Sequence, residues 1–159
     1  MKIHKIICIY FCFTLTIAQQ KEEIKTHTFH WEYFTGAGNA LIQKLSLQWL
    51  ENRQKEQVID IVSITKEPYS ISFIEEILLR RYKSTDFVTA DYVITIAALN
   101  EKLIFTVMDV NIYLHDIITS EAVKKYELYE IKKSLKDAST NLAEYIILSE
   151  KKFLQKLDK

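Results

Sequence analysis

The sequence predicts an α+β domain of two layers, in which helices cover one face of a sheet of about five antiparallel strands. Between residues 89 and 114, two long runs rich in β-branched and aromatic residues flank a short polar break at Asn100 and Glu101. That pattern is typical of a β-hairpin. Between residues 120 and 157, apolar residues recur every three or four positions, which predicts a helix with one apolar stripe. Such a stripe needs an apolar surface to pack on, and the sheet offers one.

Residues 1–18 are expected to be a secretory signal peptide. A basic start is followed by an apolar run over residues 6–17 and by the small residue Ala18 before Gln19. The run is shorter than the roughly 20 apolar residues that cross a bilayer, so an uncleaved membrane anchor is the less favoured alternative. We expect an exported protein, periplasmic or secreted, with residues 19–26 as a leader and a single domain over 27–157.

The loss of a signal peptide would change both cysteine content and charge. Cys8 and Cys12 are the only cysteines and lie inside the apolar run, so the exported chain would hold neither disulfides nor thiolate metal ligands. Removal of Lys2 and Lys5 leaves 19 basic residues against 21 acidic ones, a net charge near −2. Without a basic stripe, the chain lacks the charge pattern of a nucleic-acid-binding protein.

The first half of the domain alternates strand and helix signals. Residues 27–34 alternate as a strand, and Gly36 and Gly38 permit a turn before Asn39, which is expected to cap a helix over 40–54. Within that helix, five apolar residues share one stripe, and Arg53 is among the charged residues expected to lie in solvent at its end. The five are Leu41, Ile42, Leu45, Trp49 and Leu50.

Two further strands and a final helix follow. Residues 57–65 predict a strand and 66–70 a turn, whereas 71–82 fits either a strand or a helix and is assigned as a strand. A loop over 80–86 leads into the hairpin. Ser120 is expected to cap the last helix, and weaker helix formers at 137–141 mark a bend or a break. The helix stripe consists of Val123, Ile131, Leu135, Ala138, Leu142, Ile146, Phe153 and Leu157.

The element order resembles the TATA-binding-protein-like (TBP-like) fold, and specifically an uncharacterised family of exported bacterial domains with that fold. The likeness covers about 28–157 and rests on the Trp-containing helix at 47–50, the run at 91–96 and the closing strand at 104–112. The glycines expected between Ile59 and Leu79, and in the central turn, are missing. The family has no established activity, so the resemblance implies a fold and no mechanism.

Candidate catalytic or metal-binding residues are sparse. His27 and His30 lie three apart on a predicted strand, where their side chains point to opposite faces, and His115 with Asp116 is the only neighbouring His–carboxylate pair of the domain. There is no glycine-rich phosphate loop and no hydrolase or metalloprotease motif. We therefore expect no enzyme activity, no metal and no cofactor.

The hairpin contains one irregularity. If Ala98 pairs with Leu103, one face is apolar near the turn and polar further away, as if a bulge rotated the strand or the sheet were covered differently at its two ends. One interpretation is a bulge with a solvated outer face. The other is a shallow polar and aromatic ligand site on the sheet, formed by Tyr92, Asp109, Asn111 and Tyr113.

Together these features favour a non-catalytic binding or envelope-structural module. The alternative is a helix-grip carrier, in which the last helix closes the sheet over a small apolar ligand. The expected partner is an unknown protein or such a ligand, and not nucleic acid.

Overall fold

The computed structural model describes residues 27–117 and 121–157. The expected signal peptide (1–18), the leader (19–26) and the capping residue Ser120 lie outside the described residues. The elements are, in chain order, β1 Phe29–Phe34, α1 Asn39–Arg53, β2 Val58–Lys66, β3 Tyr69–Arg81, β4 Phe87–Leu99, β5 Lys102–His115 and α2 Glu121–Leu157.

The five strands form one antiparallel sheet in the order β1-β5-β4-β3-β2. The central hairpin, β4 and β5, occupies the second and third positions, and β1 pairs with β5 at one edge while β2 forms the other. The segment with two possible assignments is strand β3, in which Ile71, Phe73 and Glu75 are buried and alternate with residues that are half-buried or exposed. This architecture confirms the predicted α+β class.

The hairpin turn adopts the backbone that a two-residue connection needs. Asn100 and Glu101 have φ angles of 51° and 62°, and Ala98 pairs with Leu103 as predicted. The carbonyl of Glu101 accepts hydrogen bonds from the backbone N–H of Thr35 (2.9 Å) and from the side-chain hydroxyl of Thr35 (3.0 Å). These bonds fix the end of β1 to the turn.

Both helices lie on the same face of the sheet. α1 packs on β3 and β4, α2 packs on β1 and β5, and the two helices also contact each other. Trp49 is half-buried, and its ring centroid lies 6.4 Å from that of Phe73 and 6.2 Å from that of Phe105. The largest fully buried side chains are Ile42, Leu50, Ile71, Phe73, Tyr92, Ile94, Leu103, Phe105, Ile131, Leu135, Leu142 and Ile146.

The start of α1 differs from the sequence prediction. Gly38, in an extended conformation, is the N-cap, and Asn39 is the first residue of the helix. The carbonyl of Gly38 already accepts hydrogen bonds from the N–H groups of Leu41 and Ile42, so the helix begins one residue earlier than expected. Because glycine has no side chain, the cap offers no side-chain oxygen to the first turn.

α2 continues through 137–141 without a break. Ser139 and Thr140 donate hydrogen bonds to the carbonyl of Lys136, and their hydroxyls lie 2.8 Å and 3.1 Å from the hydroxyl of Tyr33 on β1. The weak helix formers therefore connect the helix to the sheet. The apolar stripe ends earlier than predicted, since Ile146 is buried whereas Phe153 is 56% exposed. Neither described helix combines the length and apolar character needed to cross a membrane.

Candidate functional site

The face of the sheet opposite the helices, called here the outer face, is not covered by any described element. Its centre is a row of apolar side chains paired in register across three strands, Ile74 with Val93 and Val93 with Met108. Ile74 and Met108 are 40% and 38% exposed, in contrast to the buried residues on the other face of the same strands. An apolar row open to solvent is a feature of interaction surfaces.

A row of hydroxyl groups lies beside the apolar row. Ser72 pairs with Thr95 and Thr95 with Thr106, and the hydroxyls of Ser72 and Thr95 are 2.9 Å apart. On the neighbouring strand, Nδ1 of His30 lies 3.1 Å from the Thr106 hydroxyl. The centre of the outer face is therefore uncharged but rich in hydrogen-bonding groups.

Charged groups lie around this centre. Near the β1 edge, the Glu32 carboxylate contacts Nε2 of His30 at 3.1 Å and Nζ of Lys102 at 3.3 Å. The hydrogen bond from His30 and then that from Lys102 lower the pKa of Glu32. On the described strands, carboxylates outnumber the side-chain cations of this face. The carboxylates are Glu32, Asp60, Glu76 and Asp91, and the cations are Lys102 and Arg81.

The predicted bulge lies at Asp109. This residue has a φ of 53°, and the register shifts between the pairs Asp91–Asn111 and Val93–Met108. Two residues of β5 thus oppose one residue of β4. Beyond the bulge, Val110 turns into the core and Asn111 turns to the outer face. The change of apolar face that the sequence indicated is therefore real.

Two of the predicted site residues, Asn111 and Tyr113, bind Asp91, and a third, Asp109, contacts Asn111 through its backbone carbonyl. The side-chain amide of Asn111 donates to Oδ1 of Asp91 (2.8 Å) and to the carbonyl of Asp109 (3.0 Å). The hydroxyl of Tyr113 donates to Oδ2 of Asp91 (3.0 Å). This hydrogen bond to a carboxylate, followed by desolvation, raises the pKa of Tyr113. Both oxygens of Asp91 are thus already engaged.

Tyr92, the fourth predicted site residue, lies on the opposite face. It is buried beneath the helices. Without the bulge Asn111 and Tyr113 would share its face, but the extra residue of β5 moves these two side chains to the outer face. It pairs across the strands with Glu75, whose carboxylate binds Arg53. Burial, followed by the negative charge of Glu75, raises the pKa of Tyr92 far above its ordinary range. The expectation that Tyr92 shares a face with the other three residues is wrong.

Arg53 also differs from its predicted position in solvent. Its guanidinium reaches over the end of α1 to the fully buried Glu75 and lies 5.2 Å from the centroid of the Trp49 ring. A similar pair lies on α2, where Glu127 is buried, contacts Nε of Arg80 at 3.2 Å and accepts a hydrogen bond from the hydroxyl of Tyr82 (3.3 Å). Each buried carboxylate is thus paired with an arginine and connects a helix to the sheet.

The His–carboxylate neighbour pair noted in the sequence forms no catalytic arrangement. Nε2 of His115 lies 3.0 Å from the hydroxyl of Thr89, and its ring stacks on Phe87 at 4.2 Å between centroids. Within residues 27–117 and 121–157, no three His, Cys, Asp or Glu side chains lie close enough together to hold a metal ion.

Sequence reasoning missed Asp91 as the centre of the polar cluster. Its link to Asn111 depends on the bulge, because a regular hairpin that pairs Ala98 with Leu103 would place residue 110, not Asn111, opposite Asp91. It also missed Glu75, since nothing in the sequence around Glu75 and Glu76 indicates that one of them has its partner at a helix end.

The gap between α1 and the sheet is narrow. It is lined by Ile42, Ser46, Tyr69, Ile71 and Ile96 among others, and it has no room for a water molecule. The helix-facing side of the sheet is therefore closed by packing here, whereas the outer face is accessible.

Comparisons with known proteins bear on the fold. No protein-family model and no curated protein sequence matches the chain. A TBP-like protein from Parabacteroides distasonis ATCC 8503 is 12% identical, with a TM-score of 0.53 over 75% of this chain and 92% of that one. This likeness confirms the TBP-like fold that the sequence predicted.

Two further solved structures show weaker likenesses. A DUF4468 family protein from Bacteroides ovatus ATCC 8483 is 19% identical over 55% of this chain, with a TM-score of 0.47, and the match spans 59% of that protein. The structure of Ara h 8.0201 is 14% identical over 77% of this chain and 98% of its own, with a TM-score of 0.43.

Proposed function

We propose that the protein is an exported, non-catalytic binding module whose binding surface is the outer face of the sheet. The observation that carries the proposal is the apolar row Ile74–Val93–Met108, which no described element covers and whose outer members, Ile74 and Met108, are exposed. Exposure of such side chains on a folded domain is unfavourable unless a partner covers them. The adjacent hydroxyl row supplies hydrogen bonds that would orient that partner.

The polar cluster would form one end of this surface. Because Asp91 already binds Asn111 and Tyr113, it holds these side chains in a fixed arrangement instead of offering a free base. A preorganised surface loses less side-chain entropy when it binds. The surplus of carboxylates at the margins disfavours a phosphate backbone and favours a protein partner that is neutral or basic at its rim.

Export is the second part of the proposal. It rests on the basic start, the apolar run and the small residue before Gln19 in the sequence. Sequencing the amino terminus of the protein made in its own cell tests it, and we expect Gln19 or a residue next to it. An intact Met1 in the membrane fraction would contradict export of a cleaved protein.

A photocrosslinking amino acid placed at Met108 tests the binding surface in living cells. We expect a crosslinked protein at this position and none at Lys133, a control position that is exposed on α2. The substitution Val93→Asp should abolish the crosslink at Met108 while the purified variant still melts cooperatively. Equal crosslinking at both positions would mean that the outer face is not a specific binding surface.

The helix-grip carrier is the alternative function. In the described structure the gap between α1 and the sheet has no room for a water molecule, so a ligand there would require α1 to move away from the sheet. Apolar extraction of the protein purified from its native cell, followed by mass spectrometry, separates the two functions. A stoichiometric lipid-like molecule would favour the carrier.

A further inference from the structure

Strand β2 presents an uncovered edge. Among the described elements it packs substantially only against β3, whereas the other outer strand, β1, also contacts α2. Four apolar side chains of β2, those of Val58, Ile61, Val62 and Ile64, are 47–64% exposed. An outer strand of this kind is a pairing surface for another strand, because its edge-facing N–H and C=O groups have no strand partner.

The exposed isoleucines of β2 point to the helix side of the sheet. Ile61 pairs with Phe73 and Ile64 with Ile71, and both partners are buried on that side. The helix α1 runs alongside, since the side-chain amide of Gln43 donates to the carbonyl of Thr65 (2.9 Å). The sheet therefore extends beyond its helical layer and leaves the two isoleucines uncovered.

We propose that β2 pairs antiparallel with β2 of a second copy of the chain and joins the two sheets into one of ten strands. Such an interface is self-complementary about a two-fold axis. It would place Ile61 of each copy opposite Ile64 of the other on the helix side. This goes beyond the proposed binding function, because it would join two outer faces into one continuous surface.

The bulge in β2 restricts the possible registers. The alternation of side chains reverses between Ile61 and Ser63, where β2 has an extra residue, Val62, relative to β3. Where residues before Val62 are set against residues after it, helix-side residues lie opposite each other only if Ile59 or Ile61 meets Ile64 or Lys66. An axis between Val62 and Ser63 meets this condition and brings the exposed isoleucines together.

The charges on α1 are self-complementary about the same axis. Lys44 and Glu51 are exposed, lie two helical turns apart and flank the half-buried Leu47. A two-fold axis that reverses β2 also reverses the α1 helix beside it, so Lys44 of each copy would face Glu51 of the other across the two Leu47 side chains. This complementarity favours a second copy over an unrelated strand.

Sedimentation equilibrium of the full-length chain over a range of concentrations tests the pairing. We expect a reversible dimer. Ile64→Lys should raise the dissociation constant of the dimer by at least about tenfold, because the lysine would bury a charge against Ile61 of the other copy. The matched control is Leu99→Lys, since Leu99 is similarly exposed (49%) but lies at the hairpin turn. A wild-type chain that stays monomeric, or an Ile64→Lys variant that stays dimeric, would overturn the proposal.

Charge reversal on α1 supplies an independent readout. Lys44→Glu should weaken the dimer by about two- to fivefold, as expected for losing exposed ion pairs. The double variant Lys44→Glu with Glu51→Lys should restore it, because each copy then again meets an opposite charge. Failure of the double variant to recover would show that these helices do not meet around a two-fold axis.

Cysteine crosslinking tests the register, with Cys8 and Cys12 replaced by Ser in every variant. The variant with both Ile61→Cys and Ile64→Cys should form a disulfide-linked dimer on mild oxidation, whereas either substitution alone should not. A single cysteine would lie about 10 Å from its own copy across the axis, too far for a disulfide. Efficient crosslinking by Ile59→Cys with Ile64→Cys instead would contradict the proposed register.

Discussion

Arg53 binds Glu75 through two parallel hydrogen bonds, Nε to Oε1 at 2.7 Å and Nη2 to Oε2 at 3.0 Å. Glu75 is completely buried in the middle of β3, and Arg53 is the last residue of α1. A buried carboxylate is costly unless it is paired and hydrogen-bonded, and the fork of the guanidinium meets both needs. The pair thus fixes the end of the helix to the sheet.

Replacing Arg53 by Leu should destabilise the protein by about 2–4 kcal/mol, because it leaves the buried Glu75 carboxylate without its cation. The side chain of Arg53 is 21% exposed, so water entering at this edge keeps the loss at the lower end of what a fully buried pair costs. Urea unfolding monitored by circular dichroism measures the change.

The double variant Arg53→Leu with Glu75→Leu should recover much of this loss, because it buries no unpaired charge. Arg81→Leu, at an exposed position, should change the stability by no more than about 0.5 kcal/mol. If Arg53→Leu unfolded at the same urea concentration as the wild type, the pair would have no role in stability.

Alkaline pH should destabilise the fold through Tyr92. Its pKa is raised by burial and by the charge of Glu75, so the folded protein keeps this phenol protonated where the unfolded chain ionises it. The stabilisation is therefore complete below the ordinary tyrosine pKa of about 10, and it is lost as the pH rises above that value. Tyr92→Phe should flatten the decrease in stability above pH 10, measured by urea unfolding at successive pH values.

Tyr113→Phe is the comparison for this pH dependence. The pKa of Tyr113 is also raised, first by the hydrogen bond to Asp91. Because this side chain is exposed, its removal should change the pH dependence of stability much less. The absorbance of tyrosinate should show one residue fewer titrating late in Tyr92→Phe than in the wild type. Identical alkaline profiles for Tyr92→Phe and the wild type would refute the assignment.

The hairpin turn should be improved by glycine. Glu101 adopts a φ of 62°, a conformation that costs a residue with a side chain about 1 kcal/mol or more. Glu101→Gly should therefore stabilise the protein by about 0.5–1 kcal/mol after the entropy of the unfolded glycine is counted. The carbonyl of residue 101 still accepts from Thr35. Glu51→Gly within α1 is the control and should destabilise by about 1 kcal/mol. A loss of stability in Glu101→Gly would show that the positive φ of Glu101 does not strain the turn.

The order and type of elements could be predicted because local patterns carry them. The hairpin, with Ala98 opposite Leu103, follows from β-branched runs around a polar break, and β3 follows from the alternation of Ile71 and Phe73. The bulge was predicted too, because the apolar face of β5 changes along its length. What local patterns do not carry is the pairing of distant residues.

The site was therefore only partly predictable. Asn111 and Tyr113 were identified as neighbours, but their contact with Asp91 and the separation of Tyr92 depend on the one-residue shift at Asp109. The burial of Arg53 depends on Glu75, 22 positions away in sequence. A charged residue at a helix end looks solvated in sequence unless the buried carboxylate that binds it is known.

The stability of the domain should depend on the middle of α2 and not on its end. Leu142 is completely buried, whereas Leu148, less than two turns further along, is 55% exposed. Leu142→Ala should destabilise by about 2–5 kcal/mol through lost burial and the cavity it leaves, and Leu148→Ala should cost no more than about 0.5 kcal/mol. A chain ending at Thr119 should lose cooperative unfolding, because it lacks the four largest fully buried apolar side chains of α2, at Ile131, Leu135, Leu142 and Ile146. A chain ending at Glu150 should melt close to the wild type, since it removes the exposed Phe153 and Leu154. Thermal unfolding compares all four proteins. If the chain ending at Thr119 melted cooperatively as a monomer, α2 would be a separate arm that contributes nothing to the core.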